Sequence, residues 1–202
     1  MKRATRPFLI LLSLLLLSGL AISAADDEIV GLLQQAVAGE RAAQVRYAAY
    51  AAKADEEGFA GVASLFRAAA RGEKAHEEKF LQLLKKKAGT PLEGTEEPVV
   101  GTTRENIAAA LEAEQTERDT VYDAACDKAK AAGETETAKA FDRARTAESE
   151  HANLLMAANW GLGSMKTKKT YFVCSGCGFT SETKLPRGCP LCSGQGKLVG
   201  VD

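Results

Sequence analysis

From Asp26 onward, apolar residues recur three and four positions apart. Ile29, Leu32, Leu33, Ala36 and Val37 open a proline-free stretch that runs to Glu57. That spacing lines one face of an α-helix and predicts a first helix over 26–57. Gly58 interrupts it. Val62, Leu65, Phe66, Ala69, Phe80 and Leu84 repeat the pattern and predict a second helix over 59–87, and Lys85, Lys86 and Lys87 suit its C-terminus by interaction with the helix dipole. Gly89, Pro91, Gly94 and Pro98 mark 88–101 as a linker. Thr102 with Glu105 resembles a capping box that opens a third helix, which runs to about Ala132. Gly133 breaks it, and a fourth helix follows from Glu134 to Trp160. A second linker, 163–170, is rich in small and basic residues. The remaining segment, 171–202, is too short and glycine-rich to build a core unaided, and requires metal or disulfides.

The order is helix, tight turn, helix, long linker, helix, tight turn, helix. A helix of about 28 residues is roughly 42 Å long. A linker of about 14 residues reaches roughly 45–50 Å when extended. The linker can therefore run the length of a bundle, as the ferritin-like one-crossover topology requires; simple up-down packing is equally allowed by these lengths. Scarce aromatics (6%) and abundant alanine favour closely packed helices over a sheet. The net charge of −1 offers no basic surplus for phosphate, which argues against nucleic acid as a partner.

The first 25 residues stand apart. Lys2, Arg3 and Arg6 precede an apolar run from Phe8 to Leu17, and small residues follow from Ser18 to Ala25. That is the pattern of a secretory signal peptide, so the chain is expected to be exported, to the periplasm. An uncleaved anchor is the alternative, though the apolar run is short for a membrane span. The expected organisation is a signal peptide over 1–25, a helical domain over 26–162, a linker over 163–170 and a small module over 171–202.

The chain has two histidines, and each follows a glutamate by three positions: Glu73-Lys-Ala-His76 and Glu148-Ser-Glu-His151. Residues three apart share a helix face, so each pair can grip one metal centre. Glu73 follows Gly58 by the same interval as Glu148 follows Gly133, about four helical turns. Glu40 and Glu114 precede the same two glycines by about five turns each. At about 1.5 Å per residue, all four carboxylates sit roughly 23–28 Å from their turns. The two hairpins are a repeat. Glu73 to Glu148 and His76 to His151 are equal intervals, and Glu40 to Glu114 is shorter by a single position. One glutamate from each of two helices plus Glu-x-x-His from the other two is the ferritin-like di-metal pattern. Carboxylates bridge hard cations, and imidazole suits iron. Glu117, three after Glu114, has no counterpart, because Ala43 stands three after Glu40. Glu77, Glu78, Glu112 and Glu150 read instead as solvated helix-face residues.

Four of the five cysteines form Cys174-Ser-Gly-Cys177 and Cys189-Pro-Leu-Cys192. Two such pairs flanking a short loop make a tetrahedral four-sulfur site that accepts zinc or iron. Cys126, alone within a helical stretch, reads as a small buried apolar residue.

Together, Gly39-Glu40-Arg41 with Tyr47, Glu73-x-x-His76, Glu114-x-x-Glu117 with Tyr122, Glu148-x-x-His151 and the cysteine pairs resemble rubrerythrin over essentially the whole chain after the leader. The resemblance implies an all-α, ferritin-like four-helix bundle with a C-terminal rubredoxin-like module. It implies two non-haem irons, with Glu73 and Glu148 bridging, Glu40 terminal on one iron, and Glu114 and His151 on the other. Glu117 and His76 would exchange as ligands to the first iron, and Tyr47 and Tyr122 would donate to ligand carboxylates. Cys174, Cys177, Cys189 and Cys192 would hold one further iron, with zinc as the alternative. The module's loop is about one residue shorter than usual for the family, and its tail lacks the closing aromatic. The implied activity is reduction of hydrogen peroxide, in oxidative-stress protection, with electrons entering through the cysteine site from an unknown donor. In the family they commonly pass to the partner in a head-to-tail homodimer or larger homo-oligomer. An oxygen-dependent ferroxidase and a non-catalytic metal-binding protein with a zinc ribbon are the alternatives.

Overall fold

The structure is a computed structural model that describes the backbone of residues 8–192 and 196–202, with side chains from residue 26 onward. The expected signal segment, 1–25, therefore lies outside the described side chains. Among the described residues, five α-helices follow one another: α1 (Phe8–Glu56), α2 (Ala60–Lys86), α3 (Thr103–Thr116), α4 (Tyr122–Ala131) and α5 (Thr135–Trp160). A π-helical turn, Glu117–Val121, joins α3 to α4, so these segments form one rod in place of the uninterrupted α-helix expected there. The turns fall at the expected glycines. Gly58 and Gly133 have φ of +78° and +75°, a left-handed conformation that a Cβ would strain. Thr102 caps α3: its N–H donates to Glu105 Oε2 at 2.8 Å, and its Oγ1 accepts from the Glu105 N–H at 3.4 Å.

The hydrogen bonds decide the topology. Lys87, just past α2, pairs with Glu134 ahead of α5 and with Asp26, at 2.8 and 2.9 Å. The N–H of Thr103, which opens α3, donates to Glu57 at the far end of α1, at 2.9 Å. The segment between must cross the full bundle. Gln34 and Arg41 pin it to α1 on the way, donating to the carbonyls of Thr90 and Leu92. This is the one-crossover ferritin-like arrangement, and it removes simple up-down packing.

Two apolar clusters fill the bundle. One, at the Gly58 end, gathers Tyr47, Tyr50, Phe66, Ile107 and Leu155. The other, at the Gly133 end, gathers Ile29, Leu33, Phe80, Tyr122 and Phe141. Cys126 is buried in the second, where its thiol lies 3.4 Å from the Ala138 carbonyl. Buried alanines such as Ala43, Ala69 and Ala147 let the helices approach closely.

After a 3-10 turn, Leu162–Ser164, the chain forms β1 (Tyr171–Cys174), β2 (Thr180–Ser181) and β3 (Leu198–Val201). β1 is central and antiparallel to both neighbours, with Val173 opposite Thr180 and Cys174 opposite Leu198. Tyr171 and Val173 join the apolar cluster at the Gly58 end, so the module is docked on the bundle by its own first strand.

Phe141 is fully buried, with its ring 4.9 Å from that of Phe80. Phe141→Ala is expected to lower stability by about 3–5 kcal/mol. Thr102→Ala, which removes only a cap, should lower it by about 1 kcal/mol. Urea denaturation of the metal-loaded protein measures both.

Candidate metal centres

Between the two apolar clusters lies a layer of charged side chains. Glu40 of α1, Glu73 and His76 of α2, Glu114 of α3, and Glu148 and His151 of α5 are all at most 2% exposed. Their donor atoms form two groups: Glu40, Glu73, His76 and Glu148, and Glu73, Glu114, Glu148 and His151. Within each group the atoms lie no more than 4.8 Å apart. Glu73 and Glu148 belong to both. His76 Nδ1 is 3.0 Å from Glu73 Oε2 and from Glu148 Oε1, and 3.5 Å from Glu40 Oε1. His151 Nδ1 is 2.9 Å from Glu148 Oε2, 3.3 Å from Glu73 Oε1 and 3.5 Å from Glu114 Oε2.

Several of these atoms are buried without a hydrogen-bond partner: Glu40 Oε2, Glu73 Oε1, Glu114 Oε2, both oxygens of Glu148 and His151 Nδ1. A buried charge without a partner is costly, and such atoms converging from four helices fit a pair of cations. The protons respond to the same crowding. Burial pushes Glu40 up to about 7, against the pull of His76. Burial, then neighbouring carboxylates, raises Glu73; burial also raises Glu148, against His76. Burial would raise Glu114 too, but His151 and Tyr47 hold it below its ordinary value. Burial disfavours protonated imidazole, yet the surrounding carboxylates hold His76 and His151 well above the usual histidine range.

Two tyrosines grip outer carboxylate oxygens. Tyr47 donates to Glu114 Oε1 at 2.5 Å, and Tyr122 donates to Glu40 Oε1. Tyr47 leaves Glu114 Oε2 to face His151, whereas the Glu40 oxygen that Tyr122 grips is also the one nearest His76. Glu117 is half-buried at the start of the π-helical turn and outside both groups; His76 stands in the first group instead. Burial and the field of Glu40, Glu114, Glu148 and Glu73 push Glu117 well above the ordinary carboxylate range. Glu77, expected to be solvated, is a correction: it is half-buried because Arg41 and Gln44 donate to its two oxygens, at 2.6 and 2.9 Å.

The outer nitrogens of both imidazoles meet the C-terminal module, a contact of which residue spacing carries no sign. His76 Nε2 lies 2.9 Å from the Cys177 carbonyl. His151 Nε2 lies 3.0 Å from Thr180 Oγ1 and 3.2 Å from the Gly178 carbonyl. A carbonyl only accepts, so each Nε2 is a donor and Nδ1 is the atom left to face the carboxylates. Glycine makes this approach possible. A Cβ on Gly178 would fall 2.2 Å from His76 Nε2, and one on Gly72 would fall 2.7 Å from the His151 ring.

Within the module, Cys174, Cys177, Cys189 and Cys192 are free thiols whose sulfurs lie within 4.8 Å of one another. Two of the separations are 3.8 and 3.4 Å, for Cys174–Cys192 and Cys177–Cys189. Metal–sulfur bonds of about 2.3 Å in a tetrahedron give sulfur–sulfur edges of about 3.8 Å. Cys177 and the Gly176 N–H lower the Cys174 thiol to about 5, so one thiolate is already favoured. A Cβ on Gly196 would overlap Cys174 Sγ at 2.1 Å, so the chain closes on sulfur there with no side chain.

Comparison with known proteins agrees with this geometry. The rubrerythrin family profile matches residues 31–159. Rubrerythrin of Porphyromonas gingivalis is 32% identical over 169 residues, 80% of this chain and 83% of that protein. Nigerythrin of Nitratidesulfovibrio vulgaris is 30% identical, over 79% of each chain. A nigerythrin solved in its fully reduced, all-ferrous state superposes with a TM-score of 0.77 at 26% identity, covering 85% of this chain and 86% of that one. A Mycobacterium tuberculosis bacterioferritin superposes at 0.63 and 20% identity, over 68% and 87%, a likeness of fold alone.

The proton inventory gives a pH prediction. Glu40, Glu73, Glu117, Glu148, His76 and His151 all have folded values raised above their unfolded ones; Glu114 is lowered. A raised group adds stability below its unfolded value, near 4.5 for Glu and 6.5 for His, and that stability is lost as pH climbs through the folded value. Metal-free protein is therefore expected to melt at progressively lower temperature from pH 5 to 8. Metal binding expels these protons, so iron affinity should rise over the same window. Thermal unfolding of chelator-treated protein and iron titrations at each pH check the two slopes.

Proposed function

Because this chain belongs to the rubrerythrin family, with its ferritin-like di-iron bundle and four-cysteine iron site, we propose that it is a peroxidase that reduces hydrogen peroxide to water. The observation that carries the reading is the double group of donors sharing Glu73 and Glu148, six of whose buried atoms have no hydrogen-bond partner. In this reading Glu73 and Glu148 would be shared by both irons, with Glu40 and His76 completing one set of ligands and Glu114 and His151 the other. Two such irons would supply one electron each to a bound peroxide, a two-electron reduction that consumes two protons and yields two waters.

The rest of the mechanism lies in the chain's own groups. Tyr47 and Tyr122 fix the orientation of Glu114 and Glu40, which keeps the ligand set assembled as charge changes. The apolar clusters above and below exclude bulk water from the carboxylates. Glu117, whose carboxyl is pushed well above the ordinary range by burial and by the neighbouring carboxylates, stands beside the cluster as the group suited to hand on a proton. The Cys177 carbonyl, in direct contact with His76, joins the cysteine site to the bundle through one hydrogen bond, which supports the module as the route by which single electrons arrive. The leader over 1–25 supports export to the periplasm, where the mature chain would begin near Asp26. An exported enzyme needs a donor outside the cytoplasm.

Stopped-flow oxidation of the reduced protein tests this reading. Peroxide is expected to oxidise the reduced bundle faster than oxygen does. Faster reaction with oxygen would favour the ferroxidase. Tyr47→Phe should weaken iron binding by roughly 10–100-fold, and Glu148→Ala, which removes a shared ligand, by more. Iron titration and peroxide turnover report both.

A further inference from the structure

We propose that the exposed edge of the four-cysteine module is a docking surface for the acidic face of a protein that donates single electrons, with Lys184, Arg187 and Lys197 as the residues that steer it. The inference rests on reading the four cysteines as an iron site that receives electrons, and it names the kind of partner that such a site takes.

Charge is divided unevenly along the chain. Residues 26–162 carry 17 basic and 25 acidic side chains, whereas 163–202 carry six basic and two acidic. The two acids of the second segment are already engaged. Asp202 pairs with Lys168 at 2.6 Å, and Glu182 pairs with Lys169 at 3.2 Å. Lys184, Arg187 and Lys197 are exposed and belong to no ion pair among the described residues. The remaining cation, Lys166, lies on the linker. Uncompensated positive charge on so small a body sets up a field that attracts anionic surfaces and repels cationic ones.

These three cations border the side of the site that meets solvent. Cys174, Cys177 and Cys189 are buried, and Cys192 is half-buried. Ser175 and Gly176, which join the first cysteine pair, are exposed. A Cβ on Gly176 would lie 3.6 Å from Cys192 Sγ, so this loop and Cys192 share one edge. Lys197 adjoins that edge: its carbonyl accepts the Ser175 N–H at 3.0 Å, and Gly196 before it packs on Cys174 and Cys192. Lys184 precedes Leu185, which packs on the cysteines. Arg187 lies in the turn that the Gly188 N–H closes on the Leu185 carbonyl at 3.1 Å. Electron arrival reduces the site by one electron, oxidises the donor by one, and makes or breaks no bond. Close approach in a fixed orientation is therefore what docking must supply. Four thiolates around one iron also leave a net negative charge, which nearby cations would offset. That local effect acts on every reductant alike, whereas steering depends on the sign of the partner's charge.

Two reductants of opposite charge, applied to the iron-loaded protein, provide the test. Flavodoxin, an acidic one-electron donor, is the protein probe, and the methyl viologen radical cation is the control. Reduced flavodoxin should bleach the iron–thiolate absorption about tenfold more slowly in the triple variant Lys184→Glu, Arg187→Glu, Lys197→Glu, and more slowly in the wild type as salt is added. The neutral set Lys184→Gln, Arg187→Gln, Lys197→Gln should fall between, and both variants should keep the wild-type iron–thiolate spectrum. Methyl viologen should reduce the variants at least as fast as the wild type. Calorimetric titration with oxidised flavodoxin, which involves no turnover, should show binding to the wild type at low salt that the charge-reversed variant loses. A flavodoxin rate indifferent to salt and substitution, or equal slowing with both reductants, would overturn the docking surface. So would self-association of the wild type that the variant abolishes with the flavodoxin rate unchanged, which assigns the cations to a second copy. A wild type that takes up iron without iron–thiolate absorption would instead overturn the reading of the cysteines as an iron site.

Discussion

Carboxylates and imidazoles that share an interior without water set the terms for the rest of this protein. Glu40, Glu73, Glu114 and Glu148, with His76 and His151, occupy a layer in which almost nothing is exposed. Burying an ion costs several kcal/mol even after relaxation, and mutual attraction offsets that only with good geometry and satisfied hydrogen bonds. Here most of the inward atoms have no hydrogen-bond partner; His76 Nδ1 and Glu73 Oε2, which pair with each other, are the exceptions. The outer partners are present: Tyr47, Tyr122, the Cys177 and Gly178 carbonyls and Thr180 hold four of the six side chains from outside. That asymmetry, bonded outside and bare inside, is what a cation pair requires and what a stable apolar core would avoid.

The fold can be understood as the means of holding that layer. Two hairpins turn at Gly58 and Gly133 at opposite ends, so the layer falls midway along all four rods and has an apolar cluster on either side. The crossover between α2 and α3 follows from this opposition, since the second hairpin must begin where the first one turned. The π-helical turn at Glu117–Val121 lies within the rod that carries both Glu114 and Tyr122, at the point where one further carboxylate is set beside the cluster. The module is small and depends on the same logic. Its strand borrows the bundle's core, and its glycines let backbone approach imidazole and sulfur.

Much of this was legible in the sequence because it is periodic. Helix spacing, the two glycine turns, the capping box at Thr102 and the near-constant offset between hairpins are local or repeated features. The choice between crossover and up-down packing was not, because linker length allowed both; Lys87 with Glu134 and Thr103 with Glu57 decide it. The π-helical turn left no trace, since one extra residue per turn does not disturb a short apolar pattern. Glu77 looked like any surface glutamate, and only its tertiary partner Arg41 draws it inward. Thr180 and Gly72 were silent for a similar reason. Their roles come from contacts between segments remote in the chain, set by how the module lies on α2 and α5.

The central claim is that the buried layer binds a pair of irons between Glu73 and Glu148 while the cysteines bind one more. Anomalous diffraction at the iron edge, from crystals of the iron-loaded protein, tests it most directly. The account predicts two anomalous peaks within the bundle, each bordered by both shared glutamates and one histidine, and a third peak at the centre of the four sulfurs. A bundle with no peak, or with a single peak that touches only one of the two histidines, would contradict it.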